Sequence, residues 1–159
     1  MRSKILTPIF ILLALFASQA HAERLSEEMM ERSQGCYRGA RLPALVVNHD
    51  NIPLTTAGKK TLSTTDIQNL IIEAGRSMRR PWSIESQSPG KLLATLNVRG
   101  KHTVMVDITY STTHYSIQYK DSVNMSHAVC EGYAFIHPNY NQWVKQLKES
   151  IDNKLAAFQ

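Results

Sequence analysis

The sequence has little of what marks repetitive, disordered or membrane-embedded chains. It holds 7 Gly and 6 Pro in 159 residues and no low-complexity run, which excludes collagen-like, linker-like and repeat architectures. With 43% hydrophobic and only 19% charged residues, it is neither a disordered polar tract nor a polytopic membrane protein. What is left is one α+β domain with a modest core. Nothing in the composition assigns a biochemical activity.

The apolar run Ile5–Phe16 has the layout of a secretory signal peptide. Two basic residues precede it, and Ala20-His21-Ala22 places small residues at the −3 and −1 positions of a cleavage site. A retained anchor helix is the alternative, but a membrane span needs roughly 20 apolar residues. No Cys lies near the cleavage site, so no lipid anchor is expected. We expect residues 1–22 to be a signal peptide and a periplasmic or secreted mature chain, without a membrane span, to begin at Glu23.

The positive charge of the chain is modest. The formal net charge is +5, and without the two basic residues of the leader the remaining 137 residues carry 16 basic and 13 acidic residues, a net +3. Nucleic-acid-binding domains are usually much more basic than this. We therefore expect no nucleic-acid partner.

The sequence has only two cysteines, Cys36 and Cys130. In an oxidising compartment an even pair favours a disulfide over two thiols. Such a bridge would close a long loop, for which the chain-entropy treatment gives roughly 4 to 5 kcal/mol of stabilisation. A catalytic thiol with a histidine partner is the alternative, although no family signature surrounds either cysteine.

Residues 23–62 are expected to form an N-terminal segment that can contain a short helix and a strand. Glu23–Arg32 fits either a short helix or a mobile lead-in. The apolar run Ala44–Val47 predicts a strand, and the polar residues Asn48–Asn51 after it predict a turn.

From Ser63 onward the spacing of the apolar residues indicates a helix. Ser63 and Asp66 fit a capping box, and Pro81 disfavours helical geometry at the residue before it. The apolar residues between them recur at three- and four-residue steps, as on one helical face: Ile67, Leu70, Ile71, Ala74 and Met78.

After Pro81 the apolar period becomes two, which predicts four strands joined by short turns. Residues 121–136 are expected to be a longer irregular connection. Pro138 suits the first turn of a closing helix. The apolar residues of that helix share one face: Tyr140, Trp143, Val144, Leu147, Ile151, Leu155 and Phe158.

The predicted fold is α+β: a two-layer sandwich in which two amphipathic helices cover one face of a four-stranded antiparallel meander over residues 63–159. The opposite sheet face would then be left bare.

Two stretches carry a resemblance, Tyr115–Asn124 (YSIQYKDSVN) and Ile136–Val144 (IHPNYNQWV). They resemble a family of small, uncharacterised exported proteins and lipoproteins of Proteobacteria, over roughly Thr65 to Ile151. The resemblance implies an envelope location and supports the fold, and it assigns no catalytic residue. The chain departs from the lipoprotein members because it lacks an acylation cysteine.

No motif predicts a catalytic residue, a cofactor or a metal. Ser88-Pro89-Gly90-Lys91 matches the Ser-x-x-Lys string of penicillin-recognising enzymes but lacks its partner motifs, and its Pro-Gly indicates a turn. Gly58-Lys59-Lys60 is not a phosphate loop. Asp107 is isolated within a strand, where a salt bridge or solvation is expected. The histidines show no metal-ligand spacing: His49, His102, His114, His127 and His137.

Two surfaces are candidates for binding. Residues 76–101 contain one acidic residue, Glu85, and six cationic ones that a fold could gather for an anionic partner such as lipid A or a teichoic-type polymer: Arg76, Arg79, Arg80, Lys91, Arg99 and Lys101. The bare sheet face is rich in hydroxyl and amide groups that could hold a glycan or a peptide strand. The alternative to binding is that the cationic residues only keep the protein soluble and that the polar sheet face only contacts solvent. The candidate residues are Thr95, Arg99, Lys101, Asp107 and Gln118.

These surfaces favour a non-catalytic envelope binding or accessory module whose partner is an envelope protein or a glycan. A small inhibitor or immunity-type protein that blocks another protein is the alternative, and its contact would come from the 121–136 loop. A hydrolase ranks third, because no nucleophile and base are paired in the sequence.

Overall fold

The structure is a computed structural model, and it describes residues 27–28, 31–39, 41–56 and 62–158. The predicted signal peptide and the Gly58–Lys60 string lie outside these residues. Residues 27–28 and 31–33 are helical. The longer elements are α1 (Thr64–Arg76), α2 (Asn139–Ala156) and the strands β1 (Ala44–Leu45), β2 (His49–Pro53), β3 (Ser83–Ser88), β4 (Lys91–Val98), β5 (His102–Tyr110), β6 (His114–Val123), β7 (Ala128–Cys130) and β8 (Tyr133–Ile136).

The main sheet has five antiparallel strands in the order β2-β6-β5-β4-β3. Its β3–β6 part is the predicted meander, and the α+β class is confirmed. The prediction of four strands was wrong, because β2 adds an edge strand where Asn48–Asn51 predicted a turn. Asn51 has φ +50 and its N–H donates to Ser116 Oγ at 2.9 Å, while Asn48 Oδ1 accepts from the Tyr119 N–H at 2.9 Å. Residues with turn propensity thus form an irregular edge strand against β6.

A second, three-stranded sheet has the order β1-β8-β7. It corrects the prediction that residues 121–136 are irregular, because β6 extends to Val123 and β7 and β8 form a hairpin. Cys130 ends β7 and forms the predicted disulfide with Cys36, with 6.1 Å between their Cα atoms. The bridge ties the chain before β1 to this sheet.

Helix α1 begins as the capping box predicts. The Asp66 N–H donates to Ser63 Oγ at 3.1 Å, and the Ser63 N–H donates to Asp66 Oδ2 at 3.1 Å. Ile67 and Ile71 are fully buried against the sheet. Gly75 is also buried, and a methyl group at its Cα would overlap the end of the Ile84 side chain, which would have to move, so the glycine lets α1 lie close to β3.

Helix α2 begins at Asn139, and Pro138 is its N-cap residue, just before the first turn in which the proline was predicted. Its apolar face packs with that of α1 and with the alternating residues of the main sheet in one cluster, so both helices cover the same sheet face. The outward side chains of β4 and β5 all remain partly or fully exposed. Within the described part of the chain, the opposite sheet face is therefore uncovered.

Candidate functional site

The uncovered sheet face brings three of the five candidate residues together. Asp107 on β5 lies opposite Gln118 on β6, and Thr95 on β4 lies opposite Met105, the outward neighbour of Asp107. All three side chains face the same side because outward residues alternate along each strand. This agrees with the face proposed from the sequence.

Asp107 on this face is paired with two lysines. Its carboxylate lies 2.9 Å from Lys91 Nζ and accepts from Lys120 Nζ at 3.1 Å. Burial raises the pKa of the Asp107 carboxyl, but the hydrogen bonds and charges of the two lysines outweigh that effect, so the pKa is lowered. The pairing supports the salt-bridge interpretation of Asp107.

Other polar groups of the face are also bonded to each other. Gln118 Nε2 donates to Asp50 Oδ1 at 2.9 Å, and Thr103 Oγ1 donates to Asn97 Oδ1 at 2.9 Å. A ligand on this face would compete with bonds that already exist. The face is thus an ordered polar surface with little unmet hydrogen-bonding capacity at its charged positions.

The other two candidates, Arg99 and Lys101, lie at the β4–β5 turn. The Lys101 N–H donates to the Val98 carbonyl at 3.1 Å, and the two residues between them, Arg99 and Gly100, both have positive φ, +54 and +64. Asn or Gly is usual at such positions, as in type I′ turns. The side chain of Arg99 lines a groove on the helix side of the sheet rather than the uncovered face. The structure therefore separates Arg99 from Thr95, Asp107 and Gln118.

This groove, here called the arginine groove, has a volume of about 360 Å³. Three elements form it: the loop after α1, the β4–β5 turn and the first half of α2. The contributions of α2 recur at helical spacing along one face. The lining residues are Arg79, Arg80, Val98, Arg99, His102, Asn139, Gln142, Trp143 and Gln146.

The charges in the arginine groove are all of one sign. None of the described residues that line it is acidic. Arg79, Arg80 and Arg99 are exposed and make no ion pair with any residue that the structure describes. His102 Nδ1 lies 2.9 Å from the Asn124 carbonyl, a contact in which Nδ1 donates and which directs Nε2 away from that carbonyl. The groove concentrates hydrogen-bond donors and positive charge.

The groove gathers only part of the cationic excess of residues 76–101. Lys91 pairs with Asp107 at the other end of β4, and Arg76 does not line the groove. The sequence alone did not identify the other groove residues, namely His102, Trp143 and the carboxamides of α2, because nothing in their local sequence marks them as neighbours of Arg79. The spacing of Asn139, Gln142 and Gln146 on one helix face was the only signal.

A second pocket, here called the amide pocket, adjoins the arginine groove. Its volume is about 390 Å³, and it shares Arg79, Arg80 and Gln146 with the groove. Its other lining residues are Met78, Glu149, Ser150 and Asn153. Ser150 Oγ donates to the Ala74 carbonyl at 2.9 Å and holds α2 against α1. The two arginines thus stand between two cavities of different chemistry.

The catalytic string considered from the sequence has no active geometry. Ser88 is exposed at the end of β3, and Lys91 is bonded to Asp107 instead of Ser88. Among the described residues no group of three or more His, Cys, Asp or Glu side chains could hold a metal ion. No helix in the described part of the chain is long and apolar enough to cross a membrane.

Comparison with protein-family models, curated proteins and solved structures finds no match for this chain.

Proposed function

We propose that this chain is a non-catalytic binding protein of the bacterial envelope that holds an anionic ligand in the arginine groove. One observation carries the proposal: three arginines line one groove without an acidic residue among its described lining. Guanidinium groups are planar donors that match carboxylate and phosphate oxygens.

The contrast with the lysines strengthens this interpretation. Four lysines lie within 3.1 Å of a carboxylate, namely Lys91, Lys120, Lys148 and Lys154. These lysines are neutralised by nearby carboxylates, whereas the three arginines of the groove have no ion-pair partner among the described residues. Clustered positive charges repel each other, and an anion bound between them would relieve that repulsion.

The envelope location rests on two features. The N-terminal sequence has the pattern of an export signal, and the disulfide between Cys36 and Cys130 is of the kind that persists in oxidising compartments. The non-catalytic part of the proposal rests on the groove lining: arginine and carboxamide side chains donate hydrogen bonds and bind charge, and the Nδ1 of His102 is hydrogen-bonded to the Asn124 carbonyl rather than to a nucleophile.

Affinity for an immobilised polyanion tests the proposal. We expect the protein to be retained on dextran sulfate and not on neutral dextran, and Arg80→Glu to elute at clearly lower salt with a weaker salt dependence. Arg76→Glu is the matched control, because it makes the same charge change at an exposed position outside the groove. Equal losses in Arg80→Glu and Arg76→Glu would mean that only net charge matters.

A second variant separates the groove from the uncovered sheet face. Thr95→Ala combined with Gln118→Ala removes polar groups of that face without changing any charge. We expect its retention on dextran sulfate to match the wild type. Loss of retention in this variant, with Arg80→Glu unaffected, would move the binding site to the sheet face and contradict the proposal.

A further inference from the structure

The arginine groove and the amide pocket form a continuous surface because Arg79, Arg80 and Gln146 line both. Their combined volume is about 750 Å³, within the 300 to 1,000 Å³ typical of small-molecule sites. A ligand that fills both cavities would pass over the two arginines. Its two ends would then meet different chemistry.

The arginine groove suits a phosphate better than a carboxylate. Three guanidinium groups offer more positive charge and more N–H donors than one carboxylate can use. A phosphate monoester carries a charge of about −1.5 to −2 at neutral pH and has three acceptor oxygens. The charge and donor count of the groove therefore match a phosphate group.

The amide pocket suits hydroxyl groups. Asn153 and Gln146 each provide a carboxamide, which both donates and accepts, and Ser150 Oγ keeps acceptor capacity after donating to Ala74. Glu149 can accept hydrogen bonds from hydroxyl groups. Its ion pair with Lys145 is long, at 3.8 Å, so much of its negative charge is left to repel a second anion in the pocket. The pocket is thus complementary to a neutral hydroxylated group beside the phosphate.

We infer that the ligand is a phosphorylated sugar unit, with its phosphate in the arginine groove and its sugar hydroxyls in the amide pocket. This inference rests on the proposed function and narrows its ligand class. The chemistry is shared by a soluble sugar phosphate, a phosphate-bearing glycan and the headgroup of a phosphoglycolipid.

Calorimetric titration with four small probes tests the inference: glucose 1-phosphate, inorganic phosphate, glucuronate and glucose. We expect glucose 1-phosphate to bind roughly tenfold more tightly than inorganic phosphate, because the sugar adds one or two net hydrogen bonds. It should also bind more tightly than glucuronate, and glucose alone should not bind measurably. Tighter binding of glucuronate, or equal affinities for glucose 1-phosphate and phosphate, would overturn the inference.

Asn153→Ala isolates the sugar contribution. We expect it to weaken glucose 1-phosphate binding roughly three- to tenfold and to leave inorganic phosphate binding unchanged. Asn69→Ala is the control, because Asn69 is an exposed helical asparagine outside both cavities. Melting temperatures of both variants near that of the wild type would exclude a folding effect. An unchanged affinity of Asn153→Ala for glucose 1-phosphate would contradict a sugar contact in the amide pocket.

The outcomes separate the inference from the proposed function. Failure of every anion to bind, together with no retention on dextran sulfate, contradicts both. Binding of phosphate without any gain from the sugar contradicts only the sugar phosphate. Sedimentation with phosphatidylcholine vesicles that contain lipid A, whose glucosamine units carry phosphate monoesters, distinguishes the sources: capture abolished by Arg80→Glu supports a lipid headgroup, and binding only to the soluble probe supports a free or polymeric sugar phosphate.

Discussion

Lys91 Nζ lies 2.9 Å from the Asp107 carboxylate on the uncovered sheet face. In the sequence Lys91 belongs to the same cationic stretch as Arg79, Arg80 and Arg99. The strand register places it beside Asp107, at the end of β4 away from the arginine groove. Within this stretch Lys91 is thus neutralised on the sheet face, whereas Arg79, Arg80 and Arg99 line the groove without an ion-pair partner among the described residues.

The pairing of Asp107 predicts a pH dependence of stability. The pKa of this carboxyl is lowered from 3.8 in the folded protein, so the pair stabilises the fold fully above about pH 4. This stabilisation is lost as the pH falls through the lower folded pKa. Asp107→Asn should cost about 0.5 to 1 kcal/mol at neutral pH, because exposed ion pairs contribute little.

Urea unfolding of the wild type and Asp107→Asn between pH 7 and pH 2 measures this effect. The difference in free energy of unfolding should shrink only below about pH 4. A difference that stays constant to pH 2 would show that the loss does not come from the ionised carboxylate.

Because Arg99 has a positive φ, we expect its replacement by asparagine to raise the stability of the protein and to weaken its binding of polyanions. A non-glycine residue in the left-handed region costs roughly 1 kcal/mol or more, and asparagine tolerates it better. Arg99→Asn should therefore raise the free energy of unfolding by about 0.5 kcal/mol. The same variant should weaken retention on dextran sulfate, because it removes one of the three groove arginines.

Arg99→Lys is the control, since it keeps both the positive charge and the backbone cost. It should leave stability unchanged and retain part of the binding. A stable Arg99→Asn variant that binds as well as the wild type would show that Arg99 has no part in the site.

The disulfide predicts a redox dependence of stability. The bridge spans a sequence separation of 94, for which loss of the constraint on the unfolded chain costs about 4 kcal/mol. Cys36→Ser, or the wild type in reductant, should unfold at a correspondingly lower denaturant concentration. Alkylation of denatured, unreduced protein should label no thiol, and two labelled thiols would contradict the bridge.

Truncation of Leu147 measures how much the packing of α2 against the sheet contributes to the free energy of unfolding. The Leu147 side chain is fully buried, at 0% exposure, so Leu147→Ala should lower the free energy of unfolding by about 2 to 5 kcal/mol. Leu42→Ala is the matched control, because Leu42 is 70% exposed and should change stability by less than about 0.5 kcal/mol. Similar small losses in both variants would mean that α2 packs loosely.

Local patterns were sufficient to predict much of the fold. The Ser63–Asp66 capping box, the apolar stripes of both helices and the alternation along β3 to β6 depend on neighbours within a few residues. The disulfide followed from an even cysteine count. These features could be predicted because their causes are short-range or compositional.

The turn predicted at Asn48–Asn51 failed for a long-range reason. Asn and Asp favour turns in isolation, but here they form an edge strand whose bonds go to β6, about seventy residues later in the sequence. The hairpin of β7 and β8 was missed for a different reason: its strands are only three and four residues long, too short to show a clear apolar period.

The sequence by itself determined the α+β class, the helix boundaries near Ser63, the cysteine pairing and the cationic excess of residues 76–101. Only the tertiary structure decided which of those cations remain unpaired and what lies beside them. Sheet register neutralised Lys91 with Asp107, and the docking of α2 brought Trp143 and three carboxamides against Arg79, Arg80 and Arg99. Charge composition is a property of the chain, whereas the arginine groove depends on side chains that are distant in sequence and adjacent only after folding.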